Sequence, residues 1–394
     1  MPKVHDVFDL FEVLQTKYVK VRQNRCVVVR NRNANCTRCT DACTSGAISI
    51  KRNEILIAPE RCIGCGVCAT VCPTCALEAE QPNDTELLYS CLIAAKQAEG
   101  EVVIVCERLL DAASGLFDPD KVVQVNCLGR VDESLLLALA CSGVSGIILV
   151  QADCTECECH VGLQTAKLVA DTTNILLETW DNSLRINIID QLPDTLLLED
   201  GIGYDPSRRS FFTKIAGKAK TVVSETLDSA VKDTLGMQQV VEKRIRKVMD
   251  DGTLPHFIPD RRKRLLDRLA QLGEPRNEVI VTRLWGRVII DLESCNACAM
   301  CAIFCPTAAI SKLLEGDTDK IIALEHYPCD CVKCHCCEDI CPKKALVLYD
   351  DVLASDLLDG GAISFEMGES ILMKKPAEAV LDSVKKLLNI EYVH

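Results

Sequence analysis

Apolar and polar positions alternate along this chain in three different ways. Between Ala47 and Ala58 two short apolar runs, Ala47 to Lys51 and Glu54 to Ala58, flank Arg52-Asn53, which is the pattern of a tight β-hairpin. From Glu101 onward β-branched runs at Val102 to Val105, Val122 to Asn126, Ile147 to Val150 and Ile186 to Ile189 predict strands. Glu133 to Cys141 and Leu163 to Glu178 have helical spacing between them. Fully apolar strands joined by long crossovers predict a parallel sheet covered on both faces. Further helices are expected at Met1 to Gln15, Lys218 to Lys247, Arg261 to Leu272 and Lys375 to Asn389, and strands with a turn at Trp285-Gly286 over Val279 to Leu292.

Cysteine changes the picture. The 394 residues include 26 cysteines. Cys62, Cys65, Cys68 and Cys72-Pro73 stand in C-x2-C-x2-C-x3-C-P register, and the same register returns at Cys295, Cys298, Cys301 and Cys305-Pro306, and at Cys331, Cys334, Cys337 and Cys341-Pro342. A zinc ribbon has no need of the third close cysteine, whereas a loop around one corner of a [4Fe-4S] cube does. An incomplete copy, Cys36-x2-Cys39-x3-Cys43, has Asn33 where its first cysteine is due and Thr44 in place of proline, with Cys26 the nearest spare thiol. A [3Fe-4S] cluster, or Asn33 or water on the open iron, is the alternative to Cys26. Cys75, Cys329 and Cys336 are left over, and Cys91 and Cys141 lie among apolar helical residues as small core side chains.

Over about Cys26 to Glu80 these loops resemble a bacterial two-cluster ferredoxin, in which the fourth ligand of each loop crosses to the other cube. The resemblance implies that Cys26, Cys36, Cys39 and Cys72 hold one cube and Cys43, Cys62, Cys65 and Cys68 the next. By the same crossing, Cys295, Cys298, Cys301 and Cys341 hold a third cube, and Cys305, Cys331, Cys334 and Cys337 a fourth.

In the middle segment, Cys106 follows the first predicted strand, Cys127 the second, and Cys154, Cys157 and Cys159 the third. Ligands of open α/β sheets gather outside the carboxyl ends of the strands, so these thiols are expected at one edge. Asn126-Cys127-Leu128-Gly129-Arg130-Val131-Asp132, Gly146 to Val150 and Cys154-x4-Cys159-His160 make Glu101 to Trp180 similar to the iron–sulfur delta subunit of methyl-viologen-reducing hydrogenases, a domain also fused to heterodisulfide reductase subunits. That resemblance implies a [2Fe-2S] cluster. It also implies electron transfer between a hydrogenase or formate dehydrogenase and a heterodisulfide reductase. The expected ligands are Cys106, Cys127, Cys154 and Cys159, with Cys157 as the substitute; a zinc site or unligated thiols are the alternatives.

The expected architecture is therefore two α+β ferredoxin-like [4Fe-4S] modules, residues 1–97 and 277–394, around a central α/β parallel-sheet domain of flavodoxin-like type, residues 98–204, with a basic helical connector at 205–276. The connector has 16 Lys and Arg against 10 Asp and Glu in a chain of net charge -13. Its helix Arg261 to Leu272 carries Arg261, Arg262, Lys263, Arg264 and Arg268 beside an apolar leucine stripe, and is expected to dock a partner, to touch anionic lipid peripherally, or to be a solvated face.

The acidic balance disfavours nucleic-acid binding, and the longest apolar runs are of strand length, too short for a transmembrane helix. Met1 to Lys20 carries Asp6, Asp9 and Glu12 and no apolar signal core, so reduced thiols in the cytoplasm of an anaerobe are expected. No nucleotide-binding or hydrolytic metal motif occurs. The expected role is a non-catalytic electron-transfer subunit with four [4Fe-4S] clusters and one [2Fe-2S] cluster. Its partners would be an oxidoreductase and a heterodisulfide reductase-like or flavin-containing subunit. The alternative is a reductase with its own thiol–disulfide chemistry at Cys154, Cys157 and Cys159.

Overall fold

A computed structural model describes residues 16–112, 117–193, 196, 254–276, 278–316, 318 and 320–367. The helices expected at Met1 to Gln15, Lys218 to Lys247 and Lys375 to Asn389 lie outside the described residues.

The first module comprises β1 (Val19–Val21), α1 (Val27–Arg30), α2 (Arg38–Asp41), β2 (Ile48–Lys51), β3 (Glu54–Ile57), α3 (Val67–Val71) and β4 (Leu77–Ala79). β1 pairs antiparallel with β4, and β2 with β3. Arg52 and Asn53 both take positive φ, 52° and 58°, as a two-residue hairpin turn requires.

Next come α4 (Asp84–Gln97), β5 (Glu101–Cys106), α5 (Glu107–Ala112), β6 (Val122–Val125), α6 (Glu133–Cys141), β7 (Gly146–Val150), α7 (Val161–Thr179) and β8 (Ile186–Ile189). The four strands are parallel, in the order β6-β5-β7-β8. Val102, Ile104, Ile147 and Leu149 face α4, α6 and α7, while Val103, Val105 and Val150 pack with Leu110, Phe117 and Leu196 on the other side. The strands read as unbroken apolar text because both faces are covered. Asn83 and Glu86 close a capping box at the start of α4, whose Leu87, Cys91 and Ala94 join this core.

The last part contains α8 (Asp260–Leu272), β9 (Val279–Val281), β10 (Arg287–Ile290), α9 (Met300–Phe304), β11 (Ile310–Leu314), β12 (Ile321–His326), α10 (Cys336–Ile340), β13 (Leu346–Tyr349), β14 (Asp351–Leu353), α11 (Asp356–Asp359) and β15 (Ile363–Glu366). β10 pairs with β13, β9 with β14, and β11 with β12, which also takes β15 at its other edge. The β10/β13 and β11/β12 pairs repeat the β1/β4 and β2/β3 pairs of the first module, as two copies of one supersecondary unit should.

The basic helix α8 departs from expectation: it is a structural strut inside the chain. Leu265, Leu266 and Leu269 are buried against α6 and around Trp285, Val352 and Leu357, each burial contributing about 1.5–3 kcal/mol. Arg262 and Arg268 are buried as well. Arg261 donates to the carbonyls of Ala69 (2.8 Å) and Thr70 (3.1 Å) and lies 3.3 Å from the Asp132 carboxylate. Arg262 donates to the carbonyls of Leu284 and Cys331 and lies over the Trp285 ring; Arg264 pairs with Asp84. One helix thus bonds to the first module, the parallel-sheet domain and the last module. The solvated-face expectation fails for Arg261 and Arg262, which are largely buried and bonded inside the chain, whereas Arg264, paired with Asp84, keeps 39% of its side chain exposed.

Candidate iron-sulfur centres

Three loops share one backbone. The residues on either side of the middle cysteine are left-handed in each: Gly64 and Gly66 (φ 69° and 75°), Ala297 and Ala299 (53° and 53°), Lys333 and His335 (52° and 60°). For the four residues that are not glycine this conformation costs about 1–2 kcal/mol each, so the loop form is imposed by what it surrounds. Beyond the fourth cysteine a second rule holds. The residue three places on is left-handed in all four copies: Gly46 (62°), Cys75 (49°), Ala308 (57°) and Lys344 (52°).

That turn aims the next backbone N–H at sulfur, with Ala76 N 3.2 Å from Cys72 Sγ and Ala345 N 3.3 Å from Cys341 Sγ. A hydroxyl two places on approaches the same sulfur: Ser45 to Cys43 (3.6 Å), Thr74 to Cys72 (3.7 Å) and Thr307 to Cys305 (3.8 Å). N–H and O–H donors directed at cysteine sulfur are what a metal-bound thiolate accepts, and they set its electron density. The incomplete loop lacks the paired left-handed residues: Thr37, after Cys36, has φ -119°.

The thiols fall into groups. Burial pushes the Cys39 thiol up to about 12, and Cys72, Cys26 and Cys36 add to the rise, so these four stand together. Cys26 reaches them from the start of α1. Burial likewise holds Cys68 well above its ordinary range, with Cys65, Cys62, Cys39 and Cys43 contributing; Cys43 is therefore near Cys68, and Cys39 joins this group to the previous one. Cys337 is raised by burial and then by Cys334, Cys331, Cys305 and Cys301. For Cys298, burial comes first, and Cys341 and Cys295 add to it. The structure thus brings together every predicted set of four in the two modules, including the crossed fourth member. Among the described residues no three His, Cys, Asp or Glu side chains converge as one metal ion needs.

In the parallel-sheet domain, Cys106 ends β5, Cys127 follows β6, and Cys154 and Cys157 follow β7. Burial raises the Cys106 thiol, and Cys127 and Cys157 raise it further; Cys154 feels Cys157, Cys106 and Cys127. Cys157 Sγ accepts from the Cys159 N–H at 3.4 Å. Cys159, the fourth ligand that the family resemblance implies, lies beside Cys127 of this set and also beside Cys65 of the first module. The tight approach there depends on glycine, because a Cβ on Gly162 would lie 2.1 Å from Cys127 Sγ and one on Gly129 2.6 Å from Val67. Replacing Cys157 by serine is expected to abolish the spectroscopic signal of this centre, and Cys159→Ser to retain it; the reverse result would restore Cys159 as the fourth ligand.

The groups adjoin one another in sequence. The Cys106 group meets the Cys43 group through Cys127, Cys159 and Cys65, with Thr44 donating to the Glu158 carbonyl and Asn126 to the Gly64 carbonyl (3.2 Å). The Cys43 group meets the Cys26 group at Cys68 and Cys39. The Cys26 group then faces the Cys305 group across a packed contact of Val27, Ala34 and Cys36 with Cys334, Cys336 and Ile340. Asn35 bonds to Asp339 (2.8 Å) and Arg38 to the Lys333 carbonyl (2.8 Å) across it. The Cys305 group meets the Cys295 group at Cys337 and Cys301. Charged residues at these joints, Arg30 and Arg262 above all, were not legible as part of the site, because nothing local in the sequence ties them to the cysteines.

Spare thiols sort simply. Cys91 is fully buried in the core, Cys141 Sγ reaches the Arg268 carbonyl (3.5 Å), and Cys75, Cys329 and Cys336 are buried beside the loops. Among the described residues no helix is long and apolar enough to cross a membrane.

Comparison with known proteins agrees with this geometry. A 4Fe-4S dicluster domain family matches residues 32–76, and a 4Fe-4S binding domain family matches residues 288–311. The protein carries two ferredoxin-type domains of the [4Fe-4S] class, whose role is electron transfer. An uncharacterized ferredoxin of Methanocaldococcus jannaschii is 36% identical over 50 residues, which are 12% of this chain and 81% of that protein. The chain belongs to the ferredoxin family.

Proposed function

We propose that this protein is the electron-relay subunit of a redox complex in the cytoplasm of an anaerobe. In this reading it carries electrons through one [2Fe-2S] centre, held by Cys106, Cys127, Cys154 and Cys157, and four [4Fe-4S] cubes. One end of the row serves an oxidoreductase such as a hydrogenase or formate dehydrogenase, and the other a heterodisulfide reductase-like or flavin-containing subunit. The observation that carries the reading is the unbroken succession of cysteine groups, each adjoining the next across both module interfaces. A relay needs that and little else. The clusters, when bound, supply one-electron acceptors. The chain's own residues bury them from water, direct N–H and O–H donors at their thiolates, and fix their spacing. The strand order β6-β5-β7-β8, with thiols at the carboxyl ends, supports the resemblance of the central domain to the hydrogenase delta subunit and its flavodoxin-like topology.

One observation favours the reductase alternative. Ala152 and Asp153, which precede Cys154 in the chain, line a crevice of about 490 Å³ together with Arg108, Leu109, Gln151 and Asp190, large enough to admit a small disulfide substrate. A single pair of measurements separates the two readings. The tagged chain, isolated anaerobically from its native host, is expected to bring a hydrogenase or formate dehydrogenase and a heterodisulfide reductase-like or flavin-containing subunit with it, and to hold about 18 irons. Reduced by dithionite in isolation, it is expected not to turn over disulfides. Turnover without a partner would sink the relay reading in favour of the reductase.

A further inference from the structure

The joint between the Cys26 and Cys305 groups contains a cation that no ligand motif accounts for. Arg30 closes α1 and reaches across to the last module. Its Nη1 donates to the Pro255 carbonyl at 2.8 Å. The two residues that follow are tied to the loop of the fourth cysteine: the His256 ring lies 2.7 Å from the Cys305 carbonyl, and the Phe257 N–H donates to the Pro306 carbonyl at 2.9 Å. The guanidinium is thereby anchored beside Cys305. Its Nε and Nη2 are buried and have no hydrogen-bond partner among the protein atoms. A buried guanidinium with two idle donors is costly unless an acceptor faces it. The groups facing it electrostatically are the thiols of Cys305, Cys336 and Cys334. From α8, Arg262 is directed at Cys331 of the same group, and its Nη1 is likewise buried without a partner.

We propose that Arg30 is a tuning residue for the cube held by Cys305, Cys331, Cys334 and Cys337. Its guanidinium, delivered from the neighbouring module, donates to sulfur of that cube and raises its reduction potential, so that an electron crossing between modules comes to rest there. The inference rests on the relay reading. The physical reason is simple: reduction adds one negative charge to the cube, and a fixed positive charge with N–H donors at short range in a low-dielectric joint stabilises the reduced form.

The test uses the full holoprotein, with the cube identified as the EPR signal lost in Cys334→Ser. In Arg30→Gln the equilibrium for reducing that cube is expected to fall about tenfold, about 59 mV for a one-electron couple. Arg30→Lys should recover part of the shift, and Arg32→Gln, an exposed neighbour, should leave it unchanged. An unshifted potential in Arg30→Gln overturns the proposal. Should that variant lose the cube, wild-type protein labelled with ¹⁵N-arginine decides: nitrogen coupling to the reduced cube in wild type that weakens in Arg30→Lys supports it, and no coupling overturns it. If wild-type protein forms no cube at these cysteines, the relay reading itself fails, a result distinct from an unshifted potential.

Discussion

Arg261→Leu is expected to lower the stability of the assembled fold by about 3–5 kcal/mol, the cost of removing one partner of a buried ion pair. Arg261 meets three needs at once. Its guanidinium satisfies the carbonyls of Ala69 and Thr70 at the end of α3, which have no partner within that short helix. Its Nε lies 3.3 Å from Asp132, which is 1% exposed. Asp132 in turn caps α6 by accepting from Leu135 N at 3.0 Å and binds the Ser134 hydroxyl at 2.6 Å. Leucine would fill part of the space and leave the carboxylate with its bonds to Leu135 N and Ser134 and with Arg130, at 3.8 Å, as its remaining ion-pair partner. Anaerobic urea unfolding, followed by circular dichroism and cluster absorbance together, measures the loss. A change no larger than that of Lys263→Ala, on the exposed side of α8 and within about 0.5 kcal/mol, would show the pair to be dispensable.

The same pair sets a pH dependence. Burial alone would raise the Asp132 carboxyl, but Arg261 and then Arg130 override it and hold the group well below the usual carboxylate range. A carboxyl depressed in the folded state stabilises the protein above its unfolded value, about 3.9, and that contribution is lost as the pH falls below it. In Arg261→Leu burial meets weaker opposition, so acid unfolding is expected to begin at a higher pH than in the parent.

The cysteine loops were legible because their chemistry is local: three spacings among four cysteines specify a loop, and the left-handed positions at Gly64, Gly66 and Gly46 even carry the expected residue. The parallel sheet was legible for a similar reason, since strands covered on both faces read as continuous apolar runs. Helix α8 was legible as a helix, but its burial was not. Its arginines look like a solvated face, and only distant acceptors, Asp132 and the carbonyls of Ala69, Thr70, Leu284 and Cys331, make the burial of Arg261 and Arg262 tolerable. The placement of Cys157 and Cys159 was equally hidden. Two residues apart on one loop, they turn toward different neighbours, Cys157 toward Cys106 and Cys154 and Cys159 toward Cys127 and Cys65, where Gly162 lets the loop close on Cys127.

Cys26→Ala is expected to convert the cube of the Cys26 group into a [3Fe-4S] cluster and leave the other centres intact. The incomplete loop presents only Cys36 and Cys39, and Cys72 crosses from the second loop, so one iron needs a ligand from outside the motif. Asn33, which occupies the vacant register position, has its N–H bonded to the Asn31 side chain at 2.8 Å in a local turn. Cys26, 8% exposed, lies where burial raises its thiol and the thiols of Cys72 and Cys36 raise it further. It is held there by α1, whose Val27 is packed against Cys336 and Ile340 of the last module, so this ligand comes from the element that forms the module interface. Iron should fall only from about 18 to about 17 per chain, too small a change to rely on, so EPR of the oxidised protein is the measurement. Cys75→Ala, which removes a buried thiol assigned to no group, is the control and should leave the spectrum unchanged. Because the affected cube is the middle station of the row, Cys26→Ala is also expected to slow transfer from the parallel-sheet domain to the Cys295 cube. An unchanged [4Fe-4S] spectrum in Cys26→Ala would remove Cys26 from the ligand set and return the open position to Asn33 or water.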